Sequence, residues 1–236
     1  MKNEKLISTN PLIWSNYRGF SLFFDGENKK NARVETYKKI GEFVAKLEGK
    51  NFNIGIHDPN MYHVTAWDGI NDTNFNQIYE NSKREVSSIL SGLPLSLKVE
   101  NIVSRRIFAS SLYKMHHEIT FEVDCLSIER NKVLVIKLNP IKKCLNDYQR
   151  FLNFRIILNK DFNKCFGINF FDNYTAHITL GNFLNVQSAK DAKKHLDEWN
   201  ESASSKLVGL KVPFNEIAIY SFFNMGKFTK IQPEFI

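Results

Sequence analysis

Apolar residues recur along this chain in two rhythms, and the rhythms predict its elements. Alternating or continuous short apolar runs mark strands; spacings of three and four mark helices. Phe20-Ser21-Leu22-Phe23-Phe24 predicts a strand that stops at the turn signal Asp25-Gly26. Asn31 to Lys50 predicts a helix, with Val34, Tyr37, Ile40, Phe43, Val44 and Leu47 as its inner stripe and Gly49 as its stop. Phe52 to Ile56 is a short strand, and Met61 to Trp67 a second one closed by Asp68-Gly69. Thr73 to Leu90 predicts a helix burying Phe75, Ile78, Tyr79, Val86, Ile89 and Leu90, broken by Gly92-Leu93-Pro94.

Strands are then expected at Leu95 to Val103, about Arg106 to Tyr113, Glu118 to Ile128 and Lys132 to Leu138. Pro140 is placed to open a helix whose stripe is Ile141, Leu145, Tyr148, Leu152 and Ile156. Asp172-Asn173 turns into a strand from Tyr174 to Leu180. Ser188 is placed to cap a helix burying Ala189, Ala192, Leu196 and Trp199. Phe214 to Phe223 and Phe228 to Phe235 read as a hairpin around Asn224-Met225-Gly226.

The order repeats. Strand, helix, turn, strand, helix and further strands run from about Phe20 to Val103, and again from about Val133 to Phe235. The expectation is an α+β, bilobal, duplicated fold in which two antiparallel sheets face a central cleft with helices outside. Residues 1–236 then form a single bilobal domain, with a first half at about 18–110, a second at about 118–236, and strands free to cross between them.

Composition changes this picture little. The 236 residues are 43% hydrophobic and 13% aromatic, enough for a core. There is no signal-peptide pattern and no membrane-spanning run, and Cys125, Cys144 and Cys165 have no metal-ligand spacing. A cytoplasmic, monomeric protein is expected. The net charge of +7 suits an anionic ligand.

The candidate chemistry lies in two tetrapeptides, His63-Val64-Thr65-Ala66 and His177-Ile178-Thr179-Leu180. On a strand, His and Thr two apart share a face while their apolar neighbours point into a core. Two such strands facing each other aim two imidazoles and two hydroxyls at one space. That set can work on a phosphate: one imidazole takes a proton, the other gives one, and the hydroxyls hold oxygens. Which imidazole does which stays open. Flat surfaces for a base are sought in Tyr62, Trp67, Tyr174, Tyr220 and Phe222. Arg18, Arg105, Arg106, Lys114, Lys227 and Lys230 flank expected strands.

Other clusters carry less. His116 and His117 are adjacent, so a strand would point them opposite ways and they would not share an ion. His57 lies just before the first motif, near a strand end. His195 falls on the outer side of a helix, and Glu122 and Asp124 on a solvated strand face. No metal or cofactor is expected.

With both motifs in view, the chain resembles the two-histidine (2H) phosphoesterase superfamily. Ala176-His177-Ile178-Thr179-Leu180-Gly181 follows that family's His-apolar-Thr-Leu-Gly form; the first motif departs from it at Trp67-Asp68. The resemblance implies metal-free phosphodiester chemistry with His63 and His177 as catalysts and Thr65 and Thr179 as phosphate ligands. Its substrates would be 2′,3′-cyclic phosphates, 2′,5′-linked oligonucleotides, cyclic oligonucleotides or RNA. Two other readings stand beside it: a module that binds an RNA end or cyclic nucleotide without cleaving it, and a structural protein whose histidines bond buried backbone.

Overall fold

The structure, a computed structural model, describes residues 5–7, 13–26, 30–47, 52–93, 101–114 and 116–231. Two antiparallel sheets carry the fold. The four-stranded sheet has β3 (Gly19–Asp25) and β5 (Thr65–Trp67) beside β10 (Glu216–Asn224) and β11 (Lys227–Ile231), in the order β11-β10-β3-β5. The five-stranded sheet has β4 (Ile54–Ile56), β6 (Ile119–Glu129), β7 (Val133–Pro140), β8 (His177–Phe183) and β9 (Lys211–Phe214), in the order β4-β8-β7-β6-β9. A small ribbon of β1 (Leu6–Ile7) and β2 (Ile13–Trp14) stands apart. The architecture is α+β and bilobal. Each sheet borrows from the other end of the chain: β10 and β11 complete the sheet of the first motif, and β4 edges the sheet of the second.

Helices cover the outer faces for the reason their stripes foretell. In α1 (Lys30–Ala45), Tyr37, Ile40, Phe43 and Val44 are buried, at spacings of three and four. Val34 is 52% exposed instead, because the inward face of its turn is taken by Arg33, Thr36 and Tyr37. The stop expected at Gly49 lies outside the described residues. The next helix begins later than its pattern: a 3₁₀ turn at Phe75–Gln77 precedes α2 (Glu80–Gly92).

The strand expected at Arg106 to Tyr113 is helical, as α3 (Ile102–Ala109) and α4 (Ser111–Lys114). Asn101 caps α3 by accepting from the Ser104 amide at 2.7 Å, while Val103, Ile107 and Leu112 turn inward. Of the strand expected at Leu95 to Val103, residues 95–100 lie outside the described residues, and its end opens α3.

Pro140 closes β7 instead of opening a helix, and a 3₁₀ turn at Lys142–Cys144 leads into α5 (Leu145–Phe166). The helix expected from Ser188 is two, α6 (Val186–Lys193) and α7 (Leu196–Ser204), and Asn185 is its cap, accepting from the Ser188 amide at 2.9 Å. The strand β9 carries no signal that the alternation revealed.

The sheets are locked by aromatic packing. Phe24 on β3 meets Phe121 of β6, Phe151 of α5 and Phe214 of β9, so one core runs beneath both sheets. In β6 the register shifts between Val123 and Leu126. Asn200 of α7 repairs the break, accepting from the Leu126 amide at 2.7 Å and donating to its carbonyl at 3.1 Å. Among the described residues no helix is long and apolar enough to cross a membrane.

Candidate active site

The two motifs meet through their middle residues. Val64 and Ile178 form an isolated antiparallel bridge that joins the edge of the first sheet to β8 of the second. Continuing that pairing one residue each way sets His63 opposite Thr179 and Thr65 opposite His177. Val64, Ala66, Ile178 and Leu180 are buried, whereas His63, Thr65, His177 and Thr179 are half-buried and line one cavity of about 410 Å³. The period of two thus delivers each pair to the cleft. His63 itself precedes β5, after a 3₁₀ turn at Pro59–Met61 that Asp58 caps.

Both imidazoles are anchored alike. His63 Nδ1 lies 2.8 Å from the Met61 carbonyl, and His177 Nδ1 lies 2.8 Å from the Thr175 carbonyl. A carbonyl only accepts, so each Nδ1 donates there, and each Nε2 is the nitrogen that this bond does not use. Their surroundings differ. His63 lies flat on Phe23, with centroids 3.9 Å apart, and Phe228 of β11 meets it edge-on at 4.6 Å. Burial among these rings pushes the His63 pKa down from 6.5 to about 4; the Met61 bond opposes this, and the neighbouring His177 adds to it. Lys137, opposite His177 in the β7–β8 register, pairs with Glu129 at 3.1 Å. The Ser127 hydroxyl, then Lys137, holds the Glu129 carboxyl below its usual range.

The expected aromatics divide. Trp67, Tyr174 and Phe222 border the cavity. Trp67 is fully buried against Phe162 and Phe170 and donates from Nε1 to Asn159 Oδ1 at 3.0 Å. Tyr174 donates its hydroxyl to the Thr65 carbonyl at 2.7 Å, which ties the loop before β8 to the first motif. Phe222 is buried beside Tyr17 and Met225. Tyr62 and Tyr220 do not border this cavity; they line a smaller one, about 200 Å³, behind His63. There Tyr62 meets Tyr37 edge-on, and Tyr220 stacks on Phe23 and donates to Asp25 at 2.8 Å. These positions are explained by packing and bonding within the protein.

The six basic residues flanking the expected strands are also elsewhere. Arg18 pairs with Asp72, Arg106 with Asp161, and Lys230 with Asp25 and Glu216. The cations bordering the cleft are Lys5, Arg130, Lys137 and Arg155. Lys137 had a legible signal: it is the polar break in the apolar alternation Val133, Val135, Lys137.

His57 also borders the cleft, buried under Trp14 at 4.5 Å. Its Nε2 accepts from Asn182 at 3.2 Å, and it bonds the Met225 backbone at the β10–β11 turn. Burial first, then nearby His63 and Lys5, pushes its pKa down to about 3. His117 is buried with Nε2 on the Leu112 carbonyl at 2.9 Å, and His116 lies outside, near Glu118. His195 precedes α7, beside Glu198. No three His, Cys, Asp or Glu side chains gather as metal ligands among the described residues.

No family model matches the sequence, and no curated protein does. Solved structures do match the fold. ATU0111 from Agrobacterium tumefaciens, a conserved protein of unknown function, is 14% identical, with a TM-score of 0.50 over 92% of this chain and 86% of that one. TT0787 of Thermus thermophilus is 13% identical, with a TM-score of 0.41 over 92% of this chain and 100% of that one. Escherichia coli LigT, complexed with NADP+, is 13% identical, with a TM-score of 0.42 over 92% of this chain and 96% of that one. The likeness to ATU0111 extends over most of both chains and is one of fold.

Proposed function

We propose that the protein is a phosphodiesterase that cleaves a nucleotide or RNA phosphodiester by two-histidine acid–base catalysis. The observation that carries this reading is the Val64–Ile178 bridge, beside which His63, Thr65, His177 and Thr179 line one cavity.

The unequal surroundings support a division of roles. His63, kept neutral by the rings around it, is the general base; His177 is the acid. In hydrolysis of a 2′,3′-cyclic phosphate, His63 Nε2 takes a proton from water as its oxygen bonds to phosphorus. The bond from phosphorus to one ribose oxygen breaks, and His177 Nε2 gives that oxygen its proton. For a linear RNA, the ribose 2′-hydroxyl replaces water as nucleophile. Thr65 and Thr179 donate to the non-bridging oxygens, where charge accumulates.

The test is a panel of 2′,3′-cyclic nucleotides, 2′,5′-oligoadenylate, cyclic oligonucleotides and short RNAs, incubated with the protein in EDTA and analysed by mass spectrometry. Turnover of one class, lost in His63→Ala and His177→Ala, supports the reading. Tight binding without turnover supports a binding module. Turnover that disappears in EDTA and returns with Zn²⁺ overturns the two-histidine account.

A further inference from the structure

Phe171 is the most exposed large apolar side chain among the described residues, at 68%, and it stands on the border of the main cavity. A single exposed ring needs no explanation. What lies under this one does. The segment from Gly167 to Ala176 contains no helix or strand, yet α5 fixes its middle with two buried polar side chains. Arg155 donates to the Phe171 carbonyl at 2.7 Å and to the Asp172 carbonyl at 3.2 Å. Asn159 donates to the Phe171 carbonyl at 3.4 Å and to the Asp172 carboxylate at 3.0 Å. The backbone is held from inside while the ring is left in water.

A second element converges on the ring. The β6–β7 hairpin turns through Arg130 and Asn131, at φ of 52° and 50°, the left-handed pair that a tight hairpin requires. That turn brings the Arg130 guanidinium to 5.1 Å from the Phe171 centroid. Among the described residues no other aromatic ring packs on Phe171. The cavity of about 410 Å³ is in the range of small-molecule sites, roughly 300–1,000 Å³, and has room beyond a phosphate.

We propose that Phe171, steadied by Arg130, is the stacking platform for the substrate's nucleobase. A flat ring with a guanidinium over one face can stack any base on the other, because every base has a π-face, and purines gain most by area. The inference rests on the nucleotide-binding part of the reading above, and not on cleavage.

The experiment is calorimetric titration of adenosine 5′-monophosphate and of ribose 5-phosphate into the full chain and its variants. The quantity read is the ratio of the two affinities. Wild type favours the nucleotide. In Phe171→Ala and Phe171→Leu that preference falls by about 5- to 150-fold, the range for one stacked base. Phe171→Trp retains it, and Arg130→Gln lowers it by less. A ratio unchanged in Phe171→Ala overturns the platform, as does a wild type that binds the two ligands equally or binds neither. If no phosphodiester is cleaved but the ratio depends on Phe171, catalysis fails and the platform stands. If cleavage is found and the ratio ignores Phe171, the platform fails and catalysis stands.

Discussion

At the residue scale, the difference between the histidines is testable. His63→Ala and His177→Ala are each expected to lower kcat/KM by ~10²–10⁴-fold with circular dichroism unchanged, as for loss of one acid–base group. Because His63 is already neutral above about pH 4, the ascending limb of kcat/KM against pH should lie near 4 and not near 6.5. Phe228→Ala opens the His63 edge to water and should move that limb upward; a limb fixed near 6.5 in both proteins would contradict His63 as base. His57 and His63 also link folding to pH. Their folded pKa values, about 3 and about 4, are below the unfolded 6.5. Between those values the unfolded chain binds more protons, so stability falls as pH drops from 6.5, by about 1.4 kcal/mol per pH unit per group. Urea unfolding from pH 7.5 to 4.5 should show this slope, and His57→Gln should reduce it. The period of two in each motif was enough to read the inward-facing His and Thr from sequence. The carbonyl anchors on Nδ1 and the rings around His63 were not, since both come from chain folding back in space.

At the element scale, strong periodicity carried the reading and short elements escaped it. The stripe of α1 and the alternation of β7 were legible because each is long enough to repeat. α3 was misread because Ile102 and Val103 are β-branched and suit a strand. The better signals were the Asn101 cap and the four-residue spacing of Val103 and Ile107. Asn101→Ala should therefore lower the free energy of unfolding by about 1 kcal/mol in denaturant melts, and Asn101→Asp should retain most of it. β1, β2 and β9 have two to four residues each, too few for a pattern to declare itself, whereas β4 lies within the strand read at Phe52 to Ile56.

At the scale of the whole molecule, the repeated order of elements was visible in the sequence, but the exchange of strands between sheets took the structure to reveal. Tyr220 bonds Asp25 from 195 residues away, and β10 lies between β11 and β3 inside the first sheet. Fragments 1–117 and 118–236 should each be largely unfolded by circular dichroism when made alone, and should regain structure when mixed. That exchange also sets an order in time. During synthesis His63 emerges long before the strands that bring Phe228 against it. The sheet beneath His63 therefore cannot close until β10 and β11 have left the ribosome. Long-range pairing of this kind folds slowly. A nascent chain would carry its first motif without a closed sheet behind it throughout the synthesis of everything between His63 and β11.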